Sequence, residues 1–234
     1  MVSQRINRAS EESAKEAPEF RAANAIPEER ILDAAQRLLL TIGPQRMTMA
    51  DLARQAGVSR ATLYRRWGSV REVLGALTTR AWVALAVQAF PDGAPGTVAG
   101  AGPASPHGRE RLVDGVVRLA RGIRTHPLLR TIIELDPDFL TPYLLKRRGT
   151  NTNHQLDLLE AGLRAGIADG SVRAADPVLL ARSVLLTAWS FTLTGPVFAD
   201  EPEGTGPELE RLDGELRLLL DRYLAPLTEG RPTP

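Results

Sequence analysis

TMADLARQAGVSRATLYRRWGSVRE, the stretch from Thr48 to Glu72, decides the fold. Thr48 is a residue type that caps helix N-termini, and the segment after it, Met49 to Ala56, stops at Gly57, the type that ends helices in a left-handed conformation. Ser59 offers a second cap for a short helix through Arg66, after which Gly68-Ser69 breaks the chain. Ser69 and Glu72 have the spacing of a capping box and predict a long helix from Val70 to about Ala89. The turn Ala56-Gly57-Val58-Ser59 needs a positive φ, which glycine supplies. Leu52, Ala53, Ala56, Val58 and Leu63 are spaced to pack the two short helices together, small Ala53 permitting close approach.

A helical hairpin of this kind also occurs in the cores of bundles. The outer face of its second helix separates the readings. That face carries Ser59, Arg60, Thr62, Tyr64, Arg65 and Arg66. Arginine can donate two parallel bonds to guanine or phosphate, while Ser, Thr and Tyr hydroxyls reach phosphate oxygens and set register. Free amides at the helix starts headed by Thr48 and Ser59 also suit phosphate. Charge agrees. Residues 46–80 hold 7 Lys/Arg against 2 Asp/Glu, and residues 1–80 hold 13 against 9, whereas residues 81–234 hold 16 against 19. A basic segment set before an acidic remainder fits a nucleic-acid partner.

Outward from this stretch the chain reads as all-α. Residues 1–25 lack apolar periodicity and predict a disordered arm. Ile31, Ala34, Ala35, Leu38, Leu39 and Ile42 form one apolar helical face beginning after Pro27 and ending at Gly43-Pro44. A three-helix helix-turn-helix domain is therefore expected over 26–72, and a second helical domain over 73–230. Residues 91–108, rich in Gly and Pro, predict a flexible loop, and their Gly100-Ala101-Gly102 has no strand-to-helix setting for a dinucleotide. Further helices are expected over about 109–125, 127–135, 139–167, 176–194 and 206–226.

The motifs ThrMetAlaAspLeuAla (48–53), AlaGlyValSer (56–59), ThrLeuTyrArgArgTrp (62–67) and Ser69-x-x-Glu72-Val73-Leu74 resemble the TetR family of bacterial repressors. The resemblance covers about residues 28–80. It implies phosphate contacts from Thr48, Ser59 and Tyr64, and base or phosphate contacts from Arg60, Thr62, Arg65 and Arg66. Trp67 stands where the family usually has Phe packed against the first helix. Val70 stands where the family usually has a phosphate-gripping Lys, so Arg71 is the candidate substitute, although it points about 100° further round the helix. The resemblance also implies a homodimer on palindromic double-stranded DNA, released by a small, mainly apolar effector bound in the second domain.

Two apolar stripes fit a four-helix dimer seam: Leu209, Leu212, Leu216, Leu219, Leu220 and Tyr223 on the last helix, and Val184, Leu185, Ala188, Trp189 and Leu193 on the one before. Such stripes also close a protomer core. Candidate effector contacts are Trp82, Phe139, Tyr143, His154, Leu158, Trp189 and Phe191, since ligand sites are mostly apolar with a few polar anchors.

Composition narrows the function. The absence of cysteine excludes disulfides, thiolate metal sites and cysteine nucleophiles. His107, His126 and His154 are widely spaced, and no HExxH, GxSxG or GxxxxGK[ST] motif is present, so neither an enzyme, a metal nor a cofactor is expected. Without a signal peptide or a membrane-spanning apolar run, a cytoplasmic protein with no membrane partner is expected. The alternative to a ligand-responsive repressor is a helix-turn-helix activator, or a regulator without small-molecule control.

Overall fold

The computed structural model describes residues 28–91 and 108–227. These residues form helices, turns and connections, with no strand among them. The arm at 1–25 and nearly all of the loop expected over 91–108 lie outside the described residues.

Helix α1 (Glu28–Ile42) buries Ile31, Leu32, Ala34, Ala35 and Leu39 along the predicted face. Gly43, at φ 79°, swings the chain into a short 3-10 turn, Pro44–Arg46. Helix α2 (Met49–Ala56) starts at Thr48, whose Oγ1 accepts from the Asp51 amide at 3.1 Å. It ends at Gly57, φ 67°. The Val58 amide reaches the Ala53 carbonyl and the Gly57 amide reaches that of Arg54, which satisfies carbonyls the helix end would leave open. Helix α3 (Arg60–Tyr64) is capped by Ser59, which accepts from the Thr62 amide. Helix α4 (Val70–Ala89) is capped by Ser69, while Glu72 reaches back to accept from the Gly68 amide at 2.9 Å.

Beyond residue 107 come α5 (Gly108–Thr125), α6 (Pro127–Leu135), α7 (Pro137–Leu145), α8 (Thr150–Ala168), α9 (Pro177–Leu193), the short α10 (Gly195–Phe198) and α11 (Pro207–Leu224). The single helix expected over 139–167 is two. The chain breaks at Lys146–Gly149, where Gly149 becomes the extended N-cap of α8. Its missing Cβ leaves room for the Tyr143 ring, whose Cδ1 would lie 2.8 Å from such an atom.

Two cores hold the chain together. The first joins α1 to α3 and Trp67 with Val73, Leu74, Leu77 and Ala81 of α4, and then takes in Leu128, Ile132 and Phe139 from α6 and α7. The second is built from Ala89, Phe90, α5, α8, α9 and α11. The first core does not stop at residue 72: α4 carries it on to Ala81, and α6 and α7 pack beneath the N-terminal helices. In the second, Arg124 donates to both oxygens of buried Asp213 at 2.6 and 2.8 Å, tying α5 to α11. Such a pair fixes register more than it adds stability, because desolvation offsets the attraction.

The expected dimer stripes fall mostly inside the protomer. Leu209, Leu216 and Leu220 on α11 and Val184, Leu185 and Ala188 on α9 are buried, so these cannot be the free seam. Leu219 and Tyr223 are exposed. With Leu218, Leu179, Leu186, Val197 and Phe198 they supply exposed apolar surface on α9 to α11. Buried leucines and exposed ones alternate round the same two helices, a distinction that spacing alone does not reveal.

Candidate nucleic-acid interface and adjoining cavity

Local chemistry fixes the reading face. Leu63 is fully buried and anchors α3 against the first core. The opposite side of this short helix therefore faces out: Arg60, Tyr64 and Arg65 are exposed, Tyr64 at 55%. No side chain of these three makes a hydrogen bond or ion pair among the described residues. The hydroxyls of Ser59 and Thr62 lie 2.9 Å apart, so both stay beside the helix start. Thr48 donates its hydroxyl to Asp51 Oδ2 at 2.6 Å. That bond, with Arg54 beside it, holds the Asp51 carboxyl below its ordinary range. Arg66 is half-buried next to Trp67, which is buried in the first core as expected.

The basic segment is not uniformly available. Arg54 pairs with Asp51, and Arg80 reaches Glu29 at 3.0 Å and Asp33 at 2.8 Å, clamping α4 to α1. Arg71 donates to the carbonyls of Asp138 and Phe139 at 3.0 and 2.9 Å and lies 5.1 Å from the Phe139 ring centre. In this structure the guanidinium of Arg71, the candidate substitute for the usual lysine, faces α7, as its position further round the helix dictates. Exposed Arg46, ahead of Thr48, makes no ion pair among the described residues and was not among the contacts read from the sequence.

Behind this face, on the seam between the two cores, lies a cavity of about 620 Å³. Its walls come from α4, α6, α7, α8 and α9, with Ile123 of α5 and Trp67. Leu129, Ile132, Ile133, Phe139, Leu140 and Leu193 make it mainly apolar. Exposed Arg147 and Arg148, in the break between α7 and α8, bring it to the surface. A volume of this size suits a small organic ligand, for which pockets of about 300–1,000 Å³ are usual.

Residues 31–77 match the family described as bacterial regulatory proteins, tetR family. An uncharacterized HTH-type transcriptional regulator of Mycobacterium bovis is 33% identical over 161 residues, covering 69% of this chain and 77% of that one. The chain belongs to the TetR family of bacterial transcriptional regulators. Among solved structures, the TetR-family repressor QsdR of R. erythropolis superposes with a TM-score of 0.58 at 21% identity, over 86% of this chain and 97% of its own. RolR, solved in complex with resorcinol, gives 0.56 at 13% identity, over 88% and 94%. At such identities the likeness is one of fold. Helices α1 to α3 are thus the DNA-binding helix-turn-helix of a TetR-family regulator, and no described helix is long and apolar enough to cross a membrane.

Of the expected effector contacts, this TetR-family fold brings Trp82, Phe139, Tyr143 and Trp189 to the cavity. The others are corrected. His154 is exposed on the outside of α8, its ring 6.3 Å from that of Trp82. Leu158 faces the second core and a void of only about 40 Å³. Phe191 packs against the second core. The inward register of α8 runs through Asn151, Thr152 and Gln155 instead. The sequence reading also missed Arg147 and Arg148; Gly149 after a basic run was the available sign of a helix break there.

Proposed function

We propose that this TetR-family regulator is a repressor that binds a palindromic double-stranded operator as a homodimer and releases it when a small effector fills the cavity. The observation that carries this reading is the shared wall. Trp67 and Phe139 belong to the core under the reading hairpin and also line the cavity. A ligand seated there touches the packing that orients α3.

Arg71 supplies a second link. Pro142 lies inside α7 and has no N–H, so the Asp138 carbonyl lacks its usual partner one turn on. Arg71 donates to that carbonyl from the start of α4. Helix α7 carries Phe139 and Tyr143 into the cavity. An effector that shifts α7 would then pull on α4, and with it the spacing of two recognition helices across a dimer. Half-sites lie about 34 Å or a multiple apart, so a change in that spacing lowers affinity at both. The exposed leucines of α9 and α11 with Phe198 of α10 supply the apolar surface a second copy would cover, and a DNA partner supports a cytoplasmic location.

The test is selection of a binding site from random duplexes, followed by anisotropy titration of that site and a reporter assay with and without the gene. A palindrome bound by a dimer, and a reporter that rises when the gene is removed, are the expected results. Failure to enrich any site, or a reporter that falls, would contradict the proposal.

A further inference from the structure

We infer that the cavity takes an anionic amphiphile: an apolar body held between the two cores, with a carboxylate or phosphate head at Arg147 and Arg148. This rests on reading the cavity as the effector site and adds the chemical class.

Apart from the hydroxyls of Tyr143, Thr150 and Thr152, which can donate or accept, the polar side chains on the wall fall into two sets. The first is already satisfied. Thr78 and Thr79 donate to the Gly75 carbonyl at 2.8 and 2.9 Å, and Thr192 donates to that of Ala188 at 2.7 Å. Gln155 accepts from Trp189 Nε1 at 3.0 Å. Glu72, the one carboxylate among the lining residues, accepts from the Gly68 amide and from the Ser69 hydroxyl. The second set is open. Trp82 is only 6% exposed, yet its Nε1 has no partner among the described residues, and Asn151 Oδ1 is likewise buried and unpaired there. Neither Arg147 nor Arg148 has a carboxylate partner among the described residues, and Arg147 rests over the Tyr143 ring at 5.4 Å.

The open set is dominated by donors: one indole N–H inside and two guanidiniums at the mouth. Asn151 can turn its amide to present either atom. A buried donor without an acceptor is costly, and a ligand oxygen near Trp82 relieves it. Guanidinium forks match carboxylate and phosphate. A cationic ligand would find one carboxylate on this wall, Glu72, whose two oxygens already accept from the Gly68 amide and the Ser69 hydroxyl, against two guanidiniums at the mouth. An apolar chain or ring with an acceptor oxygen and an anionic end satisfies the whole set.

All three tryptophans, Trp67, Trp82 and Trp189, line the cavity, so intrinsic fluorescence of the full chain reports on it. Four probes, each below its micelle concentration, are titrated: dodecanoate, dodecyl phosphate, dodecanol and dodecyltrimethylammonium. Both anions are expected to bind about ten-fold or more tighter than the alcohol, the preference of charge-assisted over neutral hydrogen bonds. The cation should bind most weakly. The two anions differ in head, so their ranking separates a carboxylate source from a phosphate source. Arg147→Gln with Arg148→Gln should erase the preference while leaving dodecanol affinity unchanged. Both side chains are exposed, so the fold should survive, and circular dichroism checks that. Trp82→Phe, which keeps an aromatic ring but removes the N–H together with part of the indole's bulk, should weaken the anions about three-fold or more while helicity is retained. Equal binding of anion and alcohol, tighter binding of the cation, no binding by any probe, or a preference that persists in the double variant would each overturn the inference. Selective anion binding that leaves operator affinity unchanged would instead refute effector control and leave the ligand class standing.

Discussion

In the reading hairpin, the residues that shape the backbone and those proposed to face DNA all lie between Thr48 and Trp67; the cavity draws its walls from six helices, with lining residues spread from Trp67 to Leu193. The hairpin is held by local devices: two hydroxyl caps, a left-handed glycine and a few buried anchors such as Leu52 and Leu63. The cavity is held by what two cores leave between them. Function carried by local chemistry survives changes elsewhere in the chain. Function carried by a seam depends on every element that closes it.

The largest expected effect separates interior from surface within the C-terminal helices. Leu216→Glu with Leu220→Glu places two carboxylates in the second core, where unpaired charges cost about 3–5 kcal/mol or more. Loss of helicity by circular dichroism is expected. Leu186→Glu with Leu219→Glu alters side chains that are 65% and 51% exposed. Helicity should be retained, sedimentation should show a monomer, and operator affinity should fall about 100-fold or more as the second half-site contact is lost. A variant that sediments as a dimer would move the seam elsewhere.

Next comes the reading face. Arg60→Ala should weaken the selected operator by about 1–3 kcal/mol while barely changing affinity for random duplex, if the side chain reads a base. Equal losses on both, measured by anisotropy at one salt concentration, would assign it to phosphate.

Two glycines set the regions side by side at a smaller scale. A Cβ on Gly115 of α5 would lie 1.9 Å from Phe90 Cε1, so Gly115→Ala overpacks the second core by about 1–3 kcal/mol. A Cβ on Gly57 would meet nothing within 4 Å, and the cost of Gly57→Ala is that of a left-handed φ of 67° alone, about 1–2 kcal/mol. Urea unfolding measures both. Phe90→Leu should recover part of the first loss and none of the second.

These glycines also show what was legible beforehand. Gly57 announced itself because its neighbours Thr48, Ser59, Val58 and Leu63 lie close in sequence and obey local rules. Gly115 did not, because Phe90 reaches it across a packing of α4 on α5 that no local pattern encodes. The same holds for the site. Arg60, Tyr64 and Arg65 lie on the outer face as expected, because a short helix with one buried anchor leaves little choice of face. Trp82, Phe139, Tyr143 and Trp189 were found as aromatics of the right region, but His154 was drawn in by its flanking amides although the register of α8 turns it outward. Arg147 and Arg148 were missed because a helix was carried through them. The error about Leu216 and Leu220 has the same root: an apolar stripe says that something covers it, and only tertiary packing says what.

The smallest expected effect tests whether the two regions communicate. Arg71 begins beside the reading hairpin and ends on the carbonyls of Asp138 and Phe139, one of them deprived of a helical partner by Pro142. Two jobs compete for this guanidinium. As a latch, it transmits movement of α7 to α4. As a phosphate grip, it leaves α7 and compensates for Val70. Arg71→Gln separates them. If it is a latch, operator affinity without ligand stays within about two-fold, and the ligand-induced loss of affinity shrinks by about 0.5–1 kcal/mol, the scale on which residues between coupled sites act. By reciprocity, the effect of operator on ligand affinity shrinks equally. If it is a grip, affinity falls without ligand, uniformly across sequences, and the slope of log affinity against log salt drops by about one. Anisotropy titrations at several salt concentrations, with and without dodecyl phosphate, distinguish the outcomes. Arg71 and its bond to the Asp138 carbonyl are exposed, so water replaces that bond, and circular dichroism checks that loss of the part-buried bond to Phe139 leaves the fold intact. A variant that keeps both its basal affinity and its full ligand response would show that the seam speaks to the hairpin through Trp67 and Phe139 packing alone.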